Sequence, residues 1–163
     1  MKVWIGIDNG VSGSVAMISD NGSSIYFKTP VRLCLNYTKA KQFLDRVWVE
    51  ALYNMLSHHI DPGDQALCLI ERPLVNPGRW KATMSAMRAF EATLIVLELL
   101  KIRYEFCDSK EWQKVLLPKD LEKEELKFAS LEVGKRLYPR MDWTKWKDAD
   151  GLLIAHYCKK MNP

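Results

Sequence analysis

The chain has 163 residues, 48% hydrophobic and 27% charged, which allows one ordinary core and excludes a disordered chain. Its net charge is +4, with 18 Lys and Arg against 13 Asp and Glu in residues 72–163, a modest excess that suits a polyanion without requiring one. The apolar stretch Ala92–Leu100 is interrupted by Glu98 and is too short to span a bilayer, and the first residues lack a signal-peptide pattern, so a single unprocessed cytoplasmic domain is expected.

Val3–Asp8 reads as a short buried strand, followed by a turn at Gly10–Gly13. Ser14–Ser19 and Ser24–Thr29 are strand-like runs flanking Asp20-Asn21-Gly22, a hairpin signal. Three antiparallel strands therefore open the chain. In residues 39–59, Phe43, Leu44, Val47, Leu52 and Leu56 recur at helical spacing among Asp45, Arg46, Glu50 and Asn54, which predicts one amphipathic helix ended by Asp61-Pro62-Gly63. Gln65–Glu71 is the fourth strand, and a Pro- and Gly-bearing segment runs from Arg72 to Trp80. A long helix over about Ala82–Lys101 comes next, then a fifth strand, Ile102–Cys107. Asp108 or Ser109 caps a short helix, SKEWQKVL, ended by Pro118; Glu122–Tyr138 and Asp148–Lys160 are the last two helices. This order describes an α/β fold, a five-stranded mixed sheet with helices packed on it, without repeats or a second domain.

The cysteines, Cys34, Cys68, Cys107 and Cys158, form no CxxC pair and read as reduced core residues. His58, His59 and His156 show neither HxxxH nor HExxH spacing, which argues against zinc hydrolysis. The carboxylates are more informative. Asp8 ends the first strand, Glu71 ends the fourth, and Asp150 opens a helix with an apolar face. Rigid elements hold all three, and a mixed sheet can set the fourth strand beside the first. Clustered hard oxygen ligands suit Mg²⁺ or Mn²⁺, and two such ions about 4 Å apart can run phosphodiester hydrolysis. Taken singly, each residue also reads as a solvated strand-end carboxylate or a helix cap.

Four segments carry a resemblance. GIDNGVSGSVA resembles the opening hairpin of the RNase H-like nuclease superfamily. IERP with SAMRAFEATLIVLELL, SKEWQKVLLP and KDADGLLIAHY resemble the RuvC-type Holliday-junction resolvases, in order, over residues 3–158. Within them the chain looks closest to the divergent branch of phages and large DNA viruses. The resemblance implies an RNase H-like fold with helices on both faces of the sheet, and a metal-dependent endonuclease that nicks opposed strands of branched DNA, a four-way junction above all. It makes Asp8, Glu71 and Asp150 ligands of Mg²⁺ or Mn²⁺, two ions per site. It also implies a homodimer, for which the helix Ala82–Leu100 is the candidate interface.

The fourth ligand departs from the family pattern. The best-known bacterial members carry it three residues before the position of Asp150, where this chain has Lys147; Asp148 lies two before. Residues two apart on a continuous helix point about 200° apart, so Asp148 joins the site only if the helix begins at or after it, and otherwise serves as a cap. By the same resemblance, Lys114 in SKEWQKV contacts phosphate as the catalytic lysine, with Lys123 and Lys127 as further candidates. The bland reading of all three is a solvated helix face. In RPLVNPGRW, Arg72, Arg79, Trp80 and the adjacent Lys81 occupy the region where such enzymes wedge the junction open; Trp80 also reads as a helix-packing residue. Trp112, Trp143 and Trp146 read as packing anchors, with DNA stacking the alternative for Trp143 or Trp146.

Overall fold

The computed structural model describes residues 1–163. β1 (Lys2–Asp8), β2 (Ser14–Ser19) and β3 (Ser24–Lys28) form the antiparallel meander expected of the opening. The turn between β2 and β3 is closed by Ser23 N donating to Asn21 Oδ1 at 2.9 Å. Further along, β6 (Gln65–Glu71) runs parallel to β1, and β7 (Arg103–Cys107) runs parallel to β6, giving the order β3-β2-β1-β6-β7. The expected five-stranded mixed sheet is therefore present.

Helices cover both faces, which is why β1 is buried continuously from Val3 to Ile7. On one face Val3, Ile5, Ile7, Val15 and Ile70 pack against α1 (Val49–His59) and α2 (Trp80–Leu99) through Leu52, Leu56, Ala89, Val96 and Leu97. On the other, Trp4, Leu69 and Cys107 meet α3 (Ser109–Leu116), α4 (Leu126–Leu137) and α5 (Asp150–Met161) through Trp112, Val133, Leu153 and Ile154. α5 sits almost in contact with the sheet backbone, because Gly6 has no side chain to hold it off. A Cβ on Gly6 would lie 2.0 Å from Ala155 N and 2.3 Å from Gly151 O. That close approach sets the height of the first turn of α5 above β1.

Residues 39–59 do not form one helix. Phe43–Val47 is a strand, β5, paired antiparallel with β4 (Val31–Leu35) in a separate two-stranded sheet, and α1 starts at Val49. Phe43, Leu44 and Val47 fit either period over so short a window, so the partner strand decides. The ladder runs from Val31 opposite Val47 to Leu35 opposite Phe43, and Trp48 N donates to Pro30 O at 2.9 Å. Trp48 itself is extended (ψ 92°) and separates strand from helix. Element boundaries also differ, above all at the starts of the last two helices. α4 begins at Leu126 because Glu122–Glu125 form a turn in which Glu122 N donates to the Glu125 carboxylate at 2.8 Å. α5 begins at Asp150 rather than Asp148. No helix is long and apolar enough to cross a membrane.

Candidate metal centre

Parallel pairing sets Ile7 opposite Ile70, so the next residues, Asp8 and Glu71, end adjacent strands on one face of the sheet. That face is the one covered by α3, α4 and α5. Antiparallel pairing places Ser14 opposite Asp8, and β7 places Cys107 opposite Glu71. The sheet thus presents two carboxylates side by side, and α5 adds a third. Gly151 N donates to Ser14 Oγ at 3.1 Å, and Tyr26 Oη donates to the same oxygen at 3.0 Å. The start of α5 is in this way anchored to the strand position facing Asp8. The loop after Asp8 needs Gly13, where a Cβ would lie 2.0 Å from Asp8 O.

Asp8, Asp148 and Asp150 can each offer one carboxylate oxygen such that these atoms all lie within 4.8 Å of one another. The helical obstacle to Asp148 does not arise, because Asp148 precedes α5 and Ala149 between the two acids is not helical (ψ 23°). Asp148 Oδ1 accepts from Asp150 N at 3.4 Å, and Oδ2 accepts from Lys127 Nζ at 3.3 Å. Glu71 lies outside the 4.8 Å set. Its Oε2 accepts the indole Nε1–H of Trp112 at 2.8 Å.

α4 supplies the other partners. Lys127 and Ser130, three residues apart, share a helix face and reach Asp148 and Asp150 respectively. Buried Ser130 donates its hydroxyl to Asp150 Oδ1 and accepts Ala149 N at 3.0 Å. Of the cations expected at the site, Lys127 is the one that meets the carboxylates.

Burial raises the pKa of Asp8 well above the usual carboxylate range, and the charges of Asp150, Glu71 and Asp148 push it further. Burial likewise lifts Asp150 to about 6, opposed by the Ser130 hydrogen bond and reinforced by Asp148. Glu71 is also raised, by burial first and by Asp150 and Asp108 after it, against the pull of the Trp112 hydrogen bond. Partial burial lowers the pKa of Lys127, but the charges of Asp148, Asp150 and Asp8 outweigh it and the net shift is upward. Negative charge is thus concentrated beyond what one ammonium group offsets. An all-carboxylate donor set with this excess fits a hard divalent cation such as Mg²⁺ or Mn²⁺.

The remaining predicted residues stand apart from the cluster. Lys114 is exposed on α3, and Lys123 lies in the turn before α4. Arg72 pairs with Asp108 at 3.2 Å and lies over the Phe106 ring at 5.7 Å. Arg79, Trp80 and Lys81 are exposed where a single 3-10 turn, Pro77–Arg79, runs into α2. Trp146 stacks on Tyr26 with ring centroids 3.7 Å apart, and Trp143 donates its indole N–H to Tyr138 O at 3.1 Å. Both are packing residues, as expected.

Three residues that position the carboxylates or their helix escape a reading of the sequence. Trp112 is a packing anchor, but a buried indole N–H requires an acceptor, and that requirement was a usable signal. Ser130 interrupts the apolar face formed by Ala129 and Val133, a second such signal. Ser14 carries none, since a small residue suits any strand.

No family model matches the sequence, and no curated protein matches it. Solved structures do. Thermus thermophilus RuvC in complex with a Holliday junction substrate superposes with a TM-score of 0.57 at 17% identity, over 97% of this chain and 94% of that one. A further Thermus thermophilus RuvC structure gives 0.51 at 13% identity, over 98% and 96%. The fold is therefore the RuvC-type, RNase H-like fold.

Proposed function

We propose that this chain is a metal-dependent endonuclease that resolves four-way DNA junctions by paired nicks. The observation that carries the reading is the convergence of Asp8, Asp148 and Asp150 within 4.8 Å, beside Glu71, at the strand ends of a RuvC-type fold. Asp8, Asp148 and Asp150 would hold one Mg²⁺ or Mn²⁺, and Glu71, whose charge acts on Asp8, would help hold a second. Bound there, the ions supply Lewis acidity and an activated water for attack on a phosphodiester.

The protein's own groups orient and balance this centre. Ser130 and Trp112 fix the rotamers of Asp150 and Glu71 by donating to one oxygen of each, which leaves the other oxygen free. Lys127, whose ammonium group pairs with Asp148, would share its charge with a phosphate oxygen of bound DNA. Lys114 and Lys123 would bind the DNA backbone farther out, and Arg72, Arg79, Trp80 and Lys81 would meet the branch point. Paired nicks require two sites, hence a homodimer. Met87, Ile95 and Leu99 are exposed apolar residues on one side of α2, with the exposed Glu91 between them, and they support this helix as the interface. Four unpaired cysteines are compatible with the cytoplasm.

The test is cleavage of labelled four-way junctions, flaps, forks and linear duplex with Mg²⁺ or Mn²⁺, beside Asp8→Asn. Symmetric nicks in the junction that vanish in the variant support the proposal. Preferential, asymmetric cutting of flaps or forks keeps the nuclease and changes its substrate. Binding without cleavage of any branch refutes the enzyme.

A further inference from the structure

The hairpin β4–β5 and the first half of α2 border a cleft of about 510 Å³ that is also lined by Val11, three residues after Asp8. The β1–β2 loop that carries Val11 is tied to α2 by Asn9 Nδ2, which donates to Ala86 O at 3.1 Å. This loop joins the cleft to the strand end that bears Asp8, while α2 itself covers the sheet face opposite to Asp8 and Glu71.

Three aromatic side chains line it and remain largely in water: Tyr37 is 82% exposed, Phe43 64% and Trp80 66%. Large exposed rings gathered around one cleft mark a binding surface. The lining also holds Lys81 and Arg88, neither of which is in an ion pair, against one carboxylate, Asp45. The Arg88 guanidinium lies 5.4 Å from the centre of the Tyr37 ring, so cation and aromatic face act at one place. Lys39 and Lys41 are exposed in the loop joining β4 to β5, whose Thr38 and Gln42 line the cleft. Unpaired bases stack on aromatic faces while cations track their phosphates. A duplex offers neither face of its bases, and an apolar protein partner would leave the cations without counter-charges.

We propose that this cleft binds an unpaired nucleic-acid strand, with bases on Tyr37, Phe43 and Trp80 and phosphates on Lys81 and Arg88. The proposal rests on the nuclease reading for what happens to the strand, and on the cleft for its capture.

The experiment is fluorescence anisotropy of a labelled oligothymidylate of about 12 nucleotides with the full chain in EDTA, beside a duplex of equal length. Tyr37→Ala and Arg88→Gln should each weaken oligothymidylate binding about tenfold, and Tyr37→Phe, which keeps the ring, should restore it. Duplex binding should change little. Tyr37 is so exposed that its replacement does not threaten folding. No binding by the unaltered chain, or equal binding by both variants, overturns the proposal. So does a Tyr37→Ala chain that halves in mass by light scattering with its oligothymidylate affinity intact, which would make the cleft a subunit interface. Cleavage of junctions, flaps and forks by the unaltered chain is scored separately: absence of cleavage on all of them refutes the nuclease and leaves the strand-binding result standing.

Discussion

The indole Nε1–H of Trp112 donates to Glu71 Oε2 at 2.8 Å, joining the apolar core under α3 to a carboxylate at the end of β6. Trp112 is 1% exposed, so water cannot replace the bond when it is lost. Trp112→Phe keeps most of the packing and deletes the donor, at a cost of about 2 kcal/mol. Because the bond holds the Glu71 pKa down, its loss raises that pKa further and moves the acidic limb of the cleavage pH profile upward. Urea unfolding and a pH–rate profile check both effects; an unchanged profile would show that Glu71 does not need its partner.

The carboxylate cluster makes metal and pH act together. Asp150 titrates at about 6 in the fold, above its value in the unfolded chain. The folded state therefore binds more protons between those values, and the metal-free protein loses stability as pH rises through that window. The cost persists above it, and Asp8 and Glu71 shift in the same direction. A divalent cation offsets the repulsion and requires deprotonated ligands. Melting temperatures with and without Mn²⁺ should differ little near pH ~5 and much more near pH ~8. Equal shifts at both would refute a metal site built from these acids.

Ser130 satisfies two groups at once, the Asp150 carboxylate and the buried Ala149 N–H. Ser130→Ala strands both. Stability should fall by about 1–3 kcal/mol, and Mn²⁺ affinity measured by calorimetry should fall about tenfold or more as Asp150 loses its fixed rotamer. Loss of stability with unaltered metal affinity would leave Ser130 a structural role only.

Lys127 and Lys114 separate by position. Lys127 meets Asp148 at 3.3 Å with its own side chain largely exposed, so Lys127→Met should change stability by no more than about 1 kcal/mol. Single-turnover junction cleavage should nevertheless slow about a hundredfold. Lys114→Met should weaken DNA binding and leave the rate at saturation nearly intact. The opposite pattern would return the catalytic role to Lys114.

Gly6→Ala tests the mounting of α5. The added carbon would meet helix backbone at 2.0 Å, which no rotamer change relieves. Destabilisation of roughly 3 kcal/mol, at the upper end for overpacking, is expected in thermal or urea unfolding, with weaker Mn²⁺ binding because Asp150 is displaced from Asp8. A fully stable variant would mean that α5 shifts freely over the sheet.

Local pattern determined much of this protein. Continuous apolar runs marked β1, β2 and β6, the Asp-Asn-Gly turn marked the meander, and the acids Asp8, Glu71 and Asp150 stood at the element ends where the structure places them. Each of these depends on neighbours along the chain, so the sequence displays it directly. Phe43–Val47 did not, because five residues fit a helix or a strand until Val31–Leu35 is known to lie beside them. Tertiary structure also decided the site. The parallel register of β1 and β6 put Asp8 beside Glu71, and Gly6 let α5 descend far enough to bring Asp150 in. The start of α5 at Asp150 freed Asp148 to join them, and α4 selected Lys127 from several equivalent lysines. Register, helix height and side-chain reach are set by contacts between segments far apart in the chain, and such contacts exist only once the chain has folded.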